Sequence, residues 1–464
     1  MNIRTILTVH FIIFCFLLPG NLTGQKPAEI EISIEGYNEG WCKMIGIYGD
    51  QNYIVDSFYM NKNGQFLIRR DSLYAEGLYY ILLPDFKNIS ILLDENQKFA
   101  LKTKKESLTG SMKVLNHTCN ELYFKSLLIQ EKIDSVSQLI KKGNTAPDLK
   151  TQLDYWTAQK TAQLSEIKIN HPSNFFTIFK SSGQNPGFIE VKKPNGDIDT
   201  FGQLHAYRKA FWNNTDLNDI RLLRTPVIAN KLRRFIKELT PQHPDSIIKQ
   251  ADDIIKASKV NKEMFSFISN WIALQYQPTK TTVMDGEAVY VHIIDTYFTQ
   301  DVVDWLSPEE LNKLHKKTSE MRASLLNRKG PNVVSTDPEG KKKSVYEIQA
   351  PYIVIYMYAP NCEHCKLETP KLKAFYDEWK NKGVEVYAIA LETTHQEWNK
   401  YIQMNGISEW INIFDPTNAS IYAKYYVDVT PEIYVLNQER IIIGKNLKSE
   451  QIPVIIEKDK RKKK

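Results

Sequence analysis

At 464 residues the chain is too long for one ordinary core, and the usual domain size argues for about three folding units. Hydrophobic residues at 42% and charged residues at 25% match an average soluble globular chain, which excludes collagen-like, coiled-coil and disordered classes. The formal charge of +6 is local, because residues 457–464 hold six cations against two anions and Arg4 adds one more; residues 5–456 sit near +1, so no basic domain exists to track a phosphate backbone and nucleic acid is excluded.

The first 24 residues read as a signal peptide. Arg4 is a basic start, residues 6–18 are apolar, and Pro19-Gly20 with Thr23-Gly24-Gln25 offers a small-residue exit. The apolar run is about 13 residues, short of the roughly 20 that span a bilayer, so cleavage near Gly24 is expected. Cys15 lies inside the run without a lipoprotein cleavage context. The mature chain is then exported, to the periplasm or cell envelope, where disulfides are permitted.

Residues 25–115 read as a β-rich domain, an antiparallel sandwich or small barrel. Short apolar stretches at 29–34, 44–48, 65–68, 79–83 and 89–93 alternate with turn formers such as Gly49-Asp50 and Asn63-Gly64. Cys42 and Cys119 either bridge across this region or stand as two buried thiols.

From residue 116 to 330 the period is helical, beginning with Leu122, Phe124, Leu127 and Leu128, then Ile133, Val136, Leu139 and Ile140. Breaks are expected at 143–145, 171–174, 193–196 and 240–245, the last supplying Asp245 as an N-cap. His292 and Asp295, beyond Asp285 and Glu287, could be drawn as a metal cluster, but one histidine among carboxylates reads as a satisfied polar face. Tyr297, Phe298 and Trp305 fit core packing better than a ligand cage.

The polar stretch 327–332 reads as a linker into a third domain, residues 331–464. Its order is a buried strand (352–358), a helix (362–380), a strand (384–391), a helix (394–404), a hairpin of strands 432–436 and 440–444, and a last helix after Ser449. This is an α/β pattern.

The strand at 352–358 feeds straight into Cys362-Glu363-His364-Cys365. That junction sets Cys362 at a helix N-terminus, where unpaired N–H groups and the dipole favour a thiolate. Cys362 is therefore the attacking sulfur and Cys365, one turn inside, the resolving one. Glu363 and His364 are the redox-tuning residues, with opposed influences.

The run from Tyr358 to Pro370, with Ala359-Pro360-Asn361 before the cysteines and Lys366-Leu367-Glu368-Thr369-Pro370 after them, resembles the active site of TlpA/ResA-like proteins of thioredoxin fold. The resemblance covers about residues 333–458. It implies a Cys362–Cys365 disulfide in the oxidised state, a tuning role for Glu368 and, at Val429-Thr430-Pro431, a cis-proline facing the cysteines with Thr430 and Pro431 binding substrate. Pro370 would kink the helix. The separation of Cys365 from Pro431 exceeds that of a minimal thioredoxin and resembles the insertion of the TlpA-like branch. Thioredoxins carry a buried aspartate where this chain has Tyr356, so proton transfer from Cys365 needs another group, for which Glu368 is the candidate. The two preceding regions resemble, less specifically, the domains of unknown function found before such modules in exported bacterial proteins.

These readings imply a thiol–disulfide oxidoreductase acting on protein disulfides, kept reduced by a membrane-bound electron donor and needing no cofactor. A peroxidase reading fails at Ala359, which stands where a peroxidatic motif needs a threonine. A metal carrier using Cys362, Cys365 and His364 would need neither the buried strand nor Pro431. A docking protein whose redox module serves one client, and a disulfide oxidase or isomerase, stay open as alternatives.

Overall fold

The computed structural model describes residues 27–462 apart from 144–145, 279, 282, 415–423 and 428. The expected signal peptide with Cys15, and Lys463 and Lys464 of the tail, lie outside the described residues. The chain divides after Ser181 into two compact units. Among the described residues no helix is long and apolar enough to cross a membrane.

In the first unit, β1 (Ala28–Glu35), β2 (Gly40–Tyr48), β3 (Gln51–Met60), β4 (Gln65–Arg70), β5 (Gly77–Leu82), β6 (Asn88–Leu93), β7 (Lys98–Lys104) and β8 (Lys113–Leu115) precede α1 (Thr118–Lys141), α2 (Pro147–Asn170) and α3 (Phe175–Ser182). The strands form two four-stranded sheets ordered β4-β1-β7-β8 and β3-β2-β5-β6. Strict alternation in β1 turns Ala28, Ile30, Ile32 and Ile34 into a core shared with Met44, Ile81 and Ile91, each isoleucine contributing about 1.5–3 kcal/mol by burial. Gly64 is required where β1 and β4 meet, since its φ is +71° and a Cβ there would stand 2.1 Å from the Ile34 carbonyl oxygen.

One expectation for this unit needs correction. The sheets are not wholly antiparallel, because β1 and β7 run parallel from Glu29↔Lys98 to Glu35↔Lys104; periodicity reports which face is buried, not the partner's direction. Of the two alternatives for Cys42 and Cys119 the second holds: both are buried thiols, Cys42 in the core between the sheets and Cys119 in a separate cluster with Ile47, Leu78 and Tyr123.

The second unit opens with helices α4 (Thr200–Ala210), α5 (Val227–Arg233), α6 (Pro244–Ser258), α7 (Lys262–Gln275), α8 (Glu287–Tyr297) and α9 (Pro308–Arg322). Asp245 is not the cap of α6: His243 takes that position and Pro244 the first turn, since proline lacks the N–H that would go unpaired there and holds φ near the helical value. Phe265, Tyr297, Phe298 and Trp305 pack edge to face in the helical core.

The rest of this unit is a seven-stranded mixed sheet. It comprises β9 (Val334–Thr336), β10 (Lys342–Ser344), β11 (Tyr352–Tyr358), α10 (Glu363–Trp379), β12 (Val384–Ala390), α11 (His395–Asn405), β13 (Ile411–Phe414), β14 (Glu432–Leu436), β15 (Ile442–Gly444) and α12 (Ile452–Lys462). The strand order is β10-β9-β13-β12-β11-β14-β15, with β11 parallel to β12, β12 parallel to β13, and β14 antiparallel to β11. All seven residues of β11 are buried, as a strand covered on both faces requires. The stretch 327–330 is bound to the sheet: Asn327 N–H donates to Ile442 O, Ile442 N–H to Arg328 O, and Gly330 N–H to Arg440 O.

Candidate active site

β11 delivers the chain to a turn at Ala359-Pro360-Asn361, and α10 begins at once. Cys362 is its N-cap, with φ −81° and ψ 121°, and its sulfur accepts the Cys365 N–H at 3.2 Å. A thiol thus fills the place that a serine or aspartate oxygen fills in other caps. The Cys362 Sγ–H donates to the Thr430 carbonyl at 3.3 Å, and the Thr430–Pro431 peptide is cis. The expected pair and the expected proline loop meet.

The two sulfurs differ in surroundings. Partial burial raises the Cys362 thiol, but bonds from the Cys365 thiol and N–H, the Thr430 side chain and the His364 N–H outweigh it and hold the thiol below its ordinary value. Cys365 is fully buried, and burial, reinforced by Cys362, pushes it up to about 12. One sulfur is prepared to ionise and the other to stay protonated.

Glu363 and His364 are both exposed. The Glu363 carboxylate is held by Lys366 at 2.6 Å, which lowers its pKa, so its charge is partly neutralised. His364 acts on Cys362 through its backbone N–H.

Glu368 lies on the buried face of α10, one turn beyond Cys365. Its Oε1 accepts the Ser449 N–H and hydroxyl, each at 2.7 Å, while Oε2 stands 3.9 Å from Lys371 Nζ. One oxygen anchors the segment before α12 and the other takes no hydrogen bond from that serine.

Sequence reasoning missed the side chains around Cys365. Tyr401 of α11 donates to the Cys365 carbonyl at 3.2 Å, and Tyr356 stands 3.5 Å from the same oxygen. Thr369 Oγ1 joins their hydroxyls at 2.8 and 2.7 Å. Tyr358 stacks between the two rings, with centroids 5.2 and 4.9 Å away. Burial raises the hydroxyls of Tyr356 and Tyr401, the latter to about 12, so they stay protonated and serve as donors rather than bases. The available signal was Tyr356 and Tyr358, two apart on one strand face, with Thr369 four residues after Cys365 on the facing helix.

A buried ionic cluster lies behind the proline loop. Lys445 Nζ stands 3.6 Å from both Asp285 Oδ1 and Glu287 Oε2, and Asn446 donates to Glu432 at 2.9 Å and to Glu287 at 2.8 Å. Burial raises Asp285 to about 6 and Glu432 to about 8. The supposed metal cluster is dispersed: His292 bonds Asp252 at 2.8 Å, Asp295 accepts Thr318 and Arg322, and Asp285 and Glu287 face Lys445. Among the described residues no group of three or more His, Cys, Asp or Glu is arranged to hold a metal.

Residues 351–442 match a family model described as thioredoxin-like, and residues 204–324 match a domain of unknown function, DUF5106. The thiol-disulfide oxidoreductase ResA of Bacillus cereus is 25% identical over 120 residues, 26% of this chain and 68% of that protein. A thioredoxin-like protein from Bacteroides caccae aligns over 59% of this chain and 99% of its own, at 18% identity and a TM-score of 0.47. A domain of a possible thiol-disulfide isomerase from Cytophaga hutchinsonii aligns over 30% of this chain and 95% of its own, at 32% identity and a TM-score of 0.29.

Proposed function

We propose, for a chain that belongs to the thioredoxin-like family through its C-terminal domain, that it is an exported thiol–disulfide oxidoreductase reducing protein disulfides in the cell envelope with the Cys362/Cys365 couple. The observation that carries this reading is the inequality of the two thiols, one lowered at a helix N-terminus and the other buried and raised to about 12.

The Cys362 thiolate attacks one sulfur of a substrate disulfide, forms a mixed disulfide and expels the other sulfur as a thiolate, which takes up a proton. Cys365 then gives up its proton and attacks Cys362 Sγ. The S–S bond to substrate breaks, the second substrate thiol leaves protonated, and the couple is left oxidised by two electrons. Glu368 is the group we assign to receive the Cys365 proton, through Oε2. Thr430 offers its backbone to an extended substrate segment beside Pro431, and Glu363 and His364 tune the couple from the exposed first turn of α10. A reduced thiol couple, assigned to a membrane-bound donor, returns the two electrons.

The test is equilibration of the protein with glutathione buffers of graded poise, following alkylation of Cys362 and Cys365 beside a Cys362→Ser control. A midpoint below about −220 mV supports the reductase, one near about −120 mV makes it an oxidant. If no disulfide forms at any poise, the oxidoreductase reading fails.

A further inference from the structure

Helix α4 is unusual in this molecule because none of its residues is buried. A helix normally persists by burying one stripe. On α4 the stripe at spacings of four and three is Phe201, His205 and Arg208, and Trp212 continues it four residues further on. Phe201 is 86% exposed. His205, Arg208 and Trp212 line a cleft of about 570 Å³ whose other wall includes Lys249 and Asp253 of α6.

The lining of this cleft points to a ligand. Arg208, Lys209 and Lys249 oppose a single carboxylate, Asp253, so the walls are cationic in a chain whose body is near neutral. Trp212, which packs edge to face on Phe235 at 5.7 Å, gives the same cleft an aromatic lining. The stripe from Phe201 to Trp212 extends about 16 Å at 1.5 Å per residue, too long for a small anion and suited to a length of chain.

We propose that the α4–α6 cleft is a docking site for an acidic segment of a partner polypeptide carrying an aromatic or large aliphatic side chain. The side chain enters against Trp212 and Phe235, and neighbouring carboxylates of the segment pair with Arg208, Lys209 and Lys249. The segment continues along α4 over Phe201. Charge complementarity of this kind selects the partner and speeds its arrival. The site stands apart from the redox couple and does not depend on its chemistry.

The experiment uses the full chain carrying Cys362→Ser and cysteine-free fluorescent peptides of about a dozen residues, enough to cover the stripe. One peptide alternates glutamate with small residues around a central phenylalanine; a second has lysine for every glutamate; a third has alanine for the phenylalanine. Fluorescence anisotropy should show the glutamate–phenylalanine peptide binding, with affinity reduced at least about tenfold by Arg208→Glu with Lys249→Glu and several-fold by Trp212→Ala. Lys62→Glu, an exposed charge change in the other unit, should leave binding unchanged, and thermal melts confirm that each variant is folded. The proposal is overturned if the glutamate–phenylalanine peptide does not bind, if the lysine or alanine peptide binds as tightly, or if the folded double variant binds like the parent.

Discussion

Cys42 in the first unit and Cys362 in the second are thiols of one chain with opposite fates. Cys42 sits mid-strand in β2, fully buried, its sulfur among apolar side chains, and burial pushes it up to about 11. Cys362 is also partly buried, yet backbone N–H groups at the start of α10 aim at its sulfur and the thiol falls below its ordinary value. Burial alone makes a cysteine inert; a helix terminus supplies donors that a strand interior has already spent on its ladder.

The largest expected effect breaks that comparison at its active end. Cys362→Ser should cut disulfide reduction on the order of 10³-fold or more, measured by insulin turbidity, while Cys42→Ser changes the rate little and lowers the melting temperature instead. If both substitutions abolish turnover equally in folded protein, the distinction between the two thiols is wrong.

Next in size is the second chemical step. Glu368→Gln keeps an amide oxygen for the two Ser449 donors but removes the proposed proton acceptor, so the mixed disulfide should persist about 10²-fold longer in rapid-quench trapping with only a small loss of stability. An unchanged lifetime would assign the Cys365 proton to the departing substrate thiolate.

A smaller effect is expected at Tyr401. Tyr401→Phe removes one donor from the Cys365 carbonyl, worth about 0.5–1.5 kcal/mol, and should slow resolution about two- to tenfold without altering the first attack by Cys362. Equal slowing of both steps would make the tyrosine merely structural.

The smallest effect lies in pH. Because folded Cys42 is raised to about 11 from 9.0, its stabilising contribution is complete below the unfolded value and declines as pH rises from about 9 toward 11. Melting curves of Cys42→Ala should therefore fall less steeply over that window than those of the parent. Cys362 has the opposite sign: its alkylation rate should rise with pH and level off earlier than that of a free cysteine, because the lowered pKa completes ionisation sooner.

Much of the second unit was legible because each signal was local. The apolar run of β11, the helix start at Cys362 behind it and the proline after Thr430 each fix a local feature of the backbone within a few residues. The first unit was harder. β3 carries Gln51, Asn52, Asp56 and Ser57 and buries only Met60 outright, so it offers little alternation to read, and the parallel β1–β7 pairing depends on strands far apart in sequence. The same limit hid Tyr401, whose hydroxyl reaches Cys365 from another helix, and the grouping of Asp285, Glu287 and Glu432 about Lys445. Pairwise meetings across the fold leave no periodic trace.

The attachment of residues 327–330 to β15 has a practical consequence. β15 is the outermost strand of its sheet, and this short stretch supplies its outer hydrogen-bonding partner. A fragment starting at residue 331 would keep Cys362 and Cys365 yet leave the Ile442 amide and the Ile442 and Arg440 carbonyls bare, an edge on which a second fragment can add. Such a fragment should self-associate through β15, whereas one that starts ahead of residue 327 should not.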